Sequence, residues 1–367
     1  MQAVKLPLLM PGWPISLLLI TVLTWLSPSA TAAVILQYHH VSDESPPLTS
    51  ISPALFAQHL EYIEVQGFEV WPLPQLVDSL KANQTLPDKV VSITFDDAYA
   101  SIYEHAYPLL KRRGWPFTVF VATEPVHAQI PGFMSWQQLR AMAANGATIA
   151  NHTHSHTHLV RRLPQENERQ WLTRVEKEIL GAQSILASQL GQQHKLLAYP
   201  YGEYDDRIAE RVAARGFIGF GQQSGAVRPG YNLSALPRFP MNNHFGAMTQ
   251  FPTKLSSLPL RLQAITPERM ILTPDRPLPS QISLLFDPEE GNHRQLRCYL
   301  SYTGDAKLEI AVSESGIEVK LSEIPTPPVG RSRINCTMPS QAYPGRFRWY
   351  SWFWMRTQSD GSWYPEP

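Results

Sequence analysis

Apolar residues fall into short runs along this chain rather than into long stretches. Val34-Ile35-Leu36-Gln37-Tyr38 and Val90-Val91-Ser92-Ile93-Thr94-Phe95 are the strongest runs, and shorter ones occupy 117–122, 147–150, 196–199 and 217–221. Apolar runs of this length between polar turns predict buried strands. Between them the apolar positions recur at helical spacing. Leu55, Phe56, His59, Leu60 and Ile63 follow Ser52-Pro53, and Ile102, Ala106, Leu109 and Leu110 fall within 99–113. A further helix opens at Trp136 behind Ser135, and others cover 166–190 (Trp171, Val175, Ile179, Ala182, Ile185, Leu186, Leu190) and 205–215. Ser, Pro and Gly stand where caps and stops belong. Repeated strand-then-helix units predict an α/β fold with parallel strands and a reactive face at their C-terminal ends.

Near residue 259 the pattern changes. Pro259, Pro267, Pro274, Pro277 and Pro279 punctuate the crossover, and short alternating runs follow at 282–286, 295–302, 307–312, 316–321, 331–338 and 346–356. Alternation with a period of two predicts a small β-sandwich. We therefore expect a catalytic domain over 33–258 and a β-rich domain over 259–367. The last run places aromatics on both faces of a strand, one for packing and the other free to stack on sugars or to pack between domains.

Composition adds a compartment. Lys5, an apolar stretch from Ile15 to Leu26 and the small residues Ala30 and Ala32 read as a secretory signal peptide over 1–32, with a retained anchor as the alternative. The protein is thus expected to be periplasmic or secreted. Cys298 and Cys336 are the two cysteines, and in an exported chain such a pair forms a disulfide unless both are buried thiols. With 31 basic and 31 acidic residues the net charge is zero, which leaves no electrostatic footprint for nucleic acid or anionic lipid.

Candidate chemistry sits at the predicted strand ends: His39, Asp96, Asp97, His152, His156, Tyr201 and Arg238. Asp97 with His152 and His156 supplies one carboxylate and two imidazoles, a donor set suited to Zn²⁺ that leaves a position for water. Asp96 points away from the same ion on an extended backbone and is placed to act as a general base. His154 and His158 repeat the spacing of His152 and His156, so spacing alone leaves two ligand pairs open. Trp136, Tyr99 and Phe133 offer flat faces to sugar rings or to the core.

Thr94-Phe95-Asp96-Asp97, Asn151-His152-Thr153-His154-Ser155-His156 and Ala198-Tyr199-Pro200-Tyr201-Gly202 resemble the first three motifs of the polysaccharide deacetylase family, carbohydrate esterase family four. The resemblance spans about 34–245 and implies a distorted (β/α) barrel, with Asp96 as base and Asp97, His152 and His156 as metal ligands. Tyr38-His39-His40-Val41-Ser42-Asp43 resembles the permuted subgroup that includes periplasmic poly-β-1,6-N-acetylglucosamine deacetylases, which implies His39 as general acid. His244 is the rival acid. Tyr201 would lend a backbone N–H to the oxyanion.

Three departures stand out. Ala98 replaces a Gly, Ala198 replaces an Arg, and no late Leu-His-Asp motif follows. Arg238 is the candidate for the missing cation, against a plain structural role. The reading that results is metal-dependent hydrolysis of N-acetyl groups on an N-acetylglucosamine-containing polysaccharide. The alternative is a weakly catalytic glycan-binding or export-assembly protein on the same fold. Substrate choice would lie in loops 42–50 and 242–246.

Overall fold

The computed structural model describes residues 32–191, 194–288 and 291–365. The signal segment, Ala32 apart, lies outside the described residues. Seven parallel strands lie side by side in the order Phe239–Pro240, Ala33–Tyr38, Val90–Phe95, Thr118–Val121, Thr148–Asn151, Leu196–Ala198 and Ile218–Phe220. An eighth, Glu69–Val70, pairs with the first residues of Val90–Phe95. The strands Ala33–Tyr38 and Val90–Phe95 are buried along their whole length, as continuous apolar runs require when both faces of a parallel sheet are covered.

Residues 236–240 bring the two edges of the sheet together. The Leu236 N–H donates to the Gly219 carbonyl at 2.8 Å, and the Gly221 N–H donates to the Leu236 carbonyl at 3.0 Å. Three and four residues on, Phe239 and Pro240 pair with Leu36 and Gln37. The result is the expected distorted (β/α) barrel. A strand of two residues ending in Pro carries no periodic signal, so this closure was not legible in the pattern.

The helices Pro53–Val65, Trp136–Ala143, Glu168–Leu190 and Asp206–Ala214 stand where expected. Glu168–Leu190 starts two residues late because Asn167 caps it, sharing a reciprocal capping box with Gln170. The expected helix over 99–113 divides into a π-helical turn, Ile102–Ala106, and an α-helix, Tyr107–Arg113. Pro108 has no N–H to return to Glu104, which breaks the regular ladder there. The helix Leu73–Lys81, entered through Pro72 and Pro74, was not anticipated.

All six β-type runs of the last third are strands. One sheet centres on Gly330–Pro339 and Phe347–Arg356, and the other on Ile282–Phe286 and Gly316–Leu321. Leu284, Phe286, Val319 and Leu321 from one sheet share a core with Ile334, Cys336, Met338 and Trp354 from the other, which makes a sandwich. Cys298 and Cys336 face each other across two strands of that core and form a disulfide. Phe353 and Met355 cross to the barrel and pack with Leu197, Tyr199 and Val212. Among the described residues no helix is long and apolar enough to cross a membrane.

Candidate metal centre

Strand ends deliver the side chains. Val90–Phe95 runs straight into Asp96 and Asp97, and Thr148–Asn151 runs into His152. The backbone then turns sharply: Asp97, Ala98, Thr153, His156 and Tyr201 all have positive φ, between 57° and 72°. Five non-glycine residues in the left-handed region each cost on the order of 1 kcal/mol, a strain that surrounding contacts must hold. Asn151 supplies part of that hold. Its Oδ1 accepts from the Thr153 N–H at 2.8 Å, and its Nδ2 donates to the Ile179 carbonyl at 2.9 Å. The Thr153 hydroxyl in turn accepts from the His156 N–H at 3.2 Å.

Asp97 Oδ1 lies 3.1 Å from His152 Nε2 and 3.1 Å from His156 Nε2. The three groups place their ligand atoms within 4.8 Å of one another. His152 Nδ1 donates to the Ala198 carbonyl at 2.8 Å, so the neutral ring aims the Nε2 lone pair at the carboxylate. Both Asp97 Oδ1 and His152 Nε2 are buried, and neither has a hydrogen-bond partner among the described residues. Two acceptors facing each other out of water require a cation between them, either a proton on the ring or a metal ion. The donor set therefore fits a divalent metal.

The titration behaviour follows the same logic. Burial pushes the Asp97 carboxyl up, but the two imidazoles beside it carry it well below the usual carboxylate range. Burial pushes His152 down, and Asp97 with Asp96 outweighs that and raises it. His39 is lowered, chiefly by burial, against the pull of Asp97 and Asp96. Neighbouring His40 stacks on Tyr99 at 3.6 Å and is lowered to about 4, again by burial.

Asp96 is fully buried and held from two sides. Arg238 donates Nη1 to Oδ1 and Nη2 to Oδ2, both at 2.7 Å, and Gln37 Nε2 donates to Oδ2 at 2.6 Å. The guanidinium is itself fully buried, with Nε donating to the Gly221 carbonyl at 3.0 Å and its plane 5.2 Å from the Phe120 ring. Burial works against ionisation of Asp96, and Arg238 overcomes it, so the carboxyl is lowered overall.

His154 and His158 point elsewhere. His154 Nδ1 sits 2.9 Å from the Thr123 hydroxyl, and His158 Nδ1 sits 2.7 Å from Glu203 Oε2. Tyr201 stacks on His158 at 3.8 Å and lies 4.7 Å from His156. Trp136 opens its helix and packs on the hydrophobic core; its buried indole N–H has no hydrogen-bond partner among the described residues. Tyr99 and Phe133 are in ring contact at 5.0 Å. His244 is exposed. The loops 42–50 and 242–246 touch, Asn243 N–H donating to the Ser50 carbonyl at 2.9 Å.

Pattern reading passed over Gln37 and Glu203. Gln37 had a signal, a lone amide inside an apolar strand, whereas the burial of Glu203 depends on residues far away in the chain. It meets Tyr364 Oη at 2.8 Å and Arg331 at 3.5 Å.

A parallel β/α barrel with a carboxylate pair and two imidazoles at its strand ends fits a metal-dependent hydrolase. Residues 83–218 match the family model described as polysaccharide deacetylase, so the chain carries a domain of that kind and is an enzyme of that class. A poly-β-1,6-N-acetyl-D-glucosamine N-deacetylase of Staphylococcus aureus is 26% identical over 197 residues, 52% of this chain and 67% of that protein. The solved structure of IcaB from Ammonifex degensii is similar at 28% identity and a TM-score of 0.55, covering 62% of this chain and 99% of that one. Streptococcus pyogenes deacetylase PplD in complex with acetate is similar at 26% identity and a TM-score of 0.52, covering 58% and 94%.

Proposed function

We propose that the protein hydrolyses N-acetyl groups on an N-acetylglucosamine-containing polysaccharide, releasing acetate and leaving a free amine, outside the cytoplasm. The observation that carries this reading is the facing pair of buried acceptors, Asp97 Oδ1 and His152 Nε2, beside an ionised Asp96. A divalent ion held by Asp97, His152 and His156, foremost Zn²⁺, would polarise the acetyl carbonyl and acidify a water.

Asp96 takes the proton from the attacking water. Its Oδ2 already accepts two hydrogen bonds and its Oδ1 only one from Arg238, so the remaining lone pair on Oδ1 is the basic one. Water oxygen bonds to the carbonyl carbon, the C–N bond breaks, and the amine leaves with a proton from His39. Because His39 is lowered, it is neutral near pH 7, so the proton it passes to the amine is the one Asp96 took from the water, and Asp96 ends the cycle ionised again. Tyr201 contributes a backbone N–H to the oxyanion. Arg238 takes the place that Ala198 leaves empty, keeping the base ionised. The catalytic unit in this reading is 33–258 and the β-rich unit 259–367, with the 1–32 segment as export signal.

The test is acetate release from defined N-acetylglucosamine polymers, with chelator and after restoring Zn²⁺. Activity that survives exhaustive chelation, or a silent panel with the ion bound, would overturn the proposal.

A further inference from the structure

Where the sandwich meets the barrel there is a cavity of about 480 Å³. Its floor comes from the barrel-facing side of the strand Gly330–Pro339, where Arg333, Asn335 and Thr337 alternate with the core residues Ile334, Cys336 and Met338. Alternate residues on a strand stand about 6.7 Å apart, so these three form a polar ladder. Tyr299, opposite Asn335, and Trp349, opposite Thr337, flank it with flat faces. From the barrel side Lys254 closes the cavity.

The charges here are one-sided. Among the described residues no Asp or Glu lines the cavity, whereas Arg333 and Lys254 both do. Lys254 Nζ donates to the Phe245 carbonyl, and burial lowers it to about 8. The half-buried guanidinium of Arg333 makes no hydrogen bond or ion pair with another described residue. An unpaired guanidinium taken partly out of water is costly, and burial lowers it too. Planar donors of this kind match a carboxylate, and aromatic faces beside amide and hydroxyl groups match a sugar ring.

We propose that this cavity is a second carbohydrate site that binds a sugar ring bearing a carboxylate, with Arg333 as its anion anchor. Its lining comes equally from the barrel and from the β-rich half, and none of the candidate catalytic or metal-binding residues belongs to it. Two positions before Arg333 on the same face, Arg331 lies over the Tyr201 ring at 5.5 Å, so the ladder runs from the candidate metal centre towards the cavity. A polymer lying along it would present an acidic residue to Arg333 while an acetylated residue sits at the barrel.

Titration calorimetry on the metal-free full chain tests this; both oligosaccharides carry N-acetylglucosamine, so the Arg333→Gln arm, which leaves the candidate metal centre intact, separates this site from the deacetylase reading. The probes are a hyaluronan hexasaccharide, chitohexaose as the neutral counterpart, and sodium acetate as a bare carboxylate. The expected result is binding of the hyaluronan probe, chitohexaose and acetate at least about tenfold weaker, and a loss of about tenfold or more in Arg333→Gln. Equal binding of the neutral oligomer, tight binding of acetate alone, no binding of the hyaluronan probe, or unchanged affinity in Arg333→Gln overturns the proposal. A melting temperature that is unchanged or higher in Arg333→Gln is also expected, because no partner is lost. A fall of several degrees would assign Arg333 to structure instead.

Discussion

Two carboxylates adjacent in the chain live in different electrostatic settings, and that difference sorts their roles. Asp96 faces a bidentate guanidinium, whereas Asp97 faces two imidazoles. Removing the guanidinium in Arg238→Gln leaves a buried, unpaired carboxylate, at a cost of about 3–5 kcal/mol. Denaturant unfolding should show that loss, and acetate release should fall while Zn²⁺ still binds; a variant as stable as the parent would remove the ion pair from the account. The sign with pH also follows. Asp96 has a depressed pKa in the fold, so its contribution is complete above the unfolded value near 4 and is lost as pH falls through the lower folded value. Arg238→Gln should therefore unfold in acid at a higher pH than the parent. For His152 the direction is opposite: its folded pKa is raised, and a metal must displace that proton. Apo-protein affinity for Zn²⁺ is expected to weaken by about tenfold per pH unit below that raised value, per proton displaced. A flat affinity between pH 6 and 8 would contradict the proton-for-metal exchange.

At the scale of elements, turns rather than strands aim the chemistry. The Pro200–Gly202 turn carries Tyr201 at φ 59° and Gly202 at φ 70°. A Cβ on Gly202 would stand 2.6 Å from Gln222 Cβ and 2.9 Å from its backbone nitrogen. Gly202→Ala thus combines a left-handed penalty with a backbone clash, and we expect a loss of about 2 kcal/mol or more together with reduced turnover. Equal melting temperatures would show that the turn relaxes. The strands themselves were readable, since Ala33–Tyr38 and Val90–Phe95 are buried on both faces and are therefore mostly apolar. The short closing strand Phe239–Pro240 was not, because two residues have no period to read.

At the scale of the whole molecule, the sandwich reaches into the rim of the barrel. Glu203 is fully buried, accepts from His158 and Tyr364, and lies 3.5 Å from Arg331 of the sandwich. Tyr201 is held between His158 on one side and Arg331 on the other. Glu203→Ala should lower the melting temperature and the acetate-release rate together, by loosening both halves at once, with about 3 kcal/mol or more at stake. A stability loss with full activity would show that Glu203 serves packing alone.

Local chemistry is written in the chain itself. An apolar run makes a strand, its end carries Asp96 and Asp97, and the motif His152 to His156 follows another strand, because burial and backbone period act over a few residues. The motif match chose His152 and His156 over His154 and His158, whereas tertiary structure decided that Arg238 crosses 142 positions to hold Asp96 and that Glu203 joins barrel to sandwich. Such pairings depend on distances set by barrel closure and by the packing of two halves, and no local periodicity encodes them.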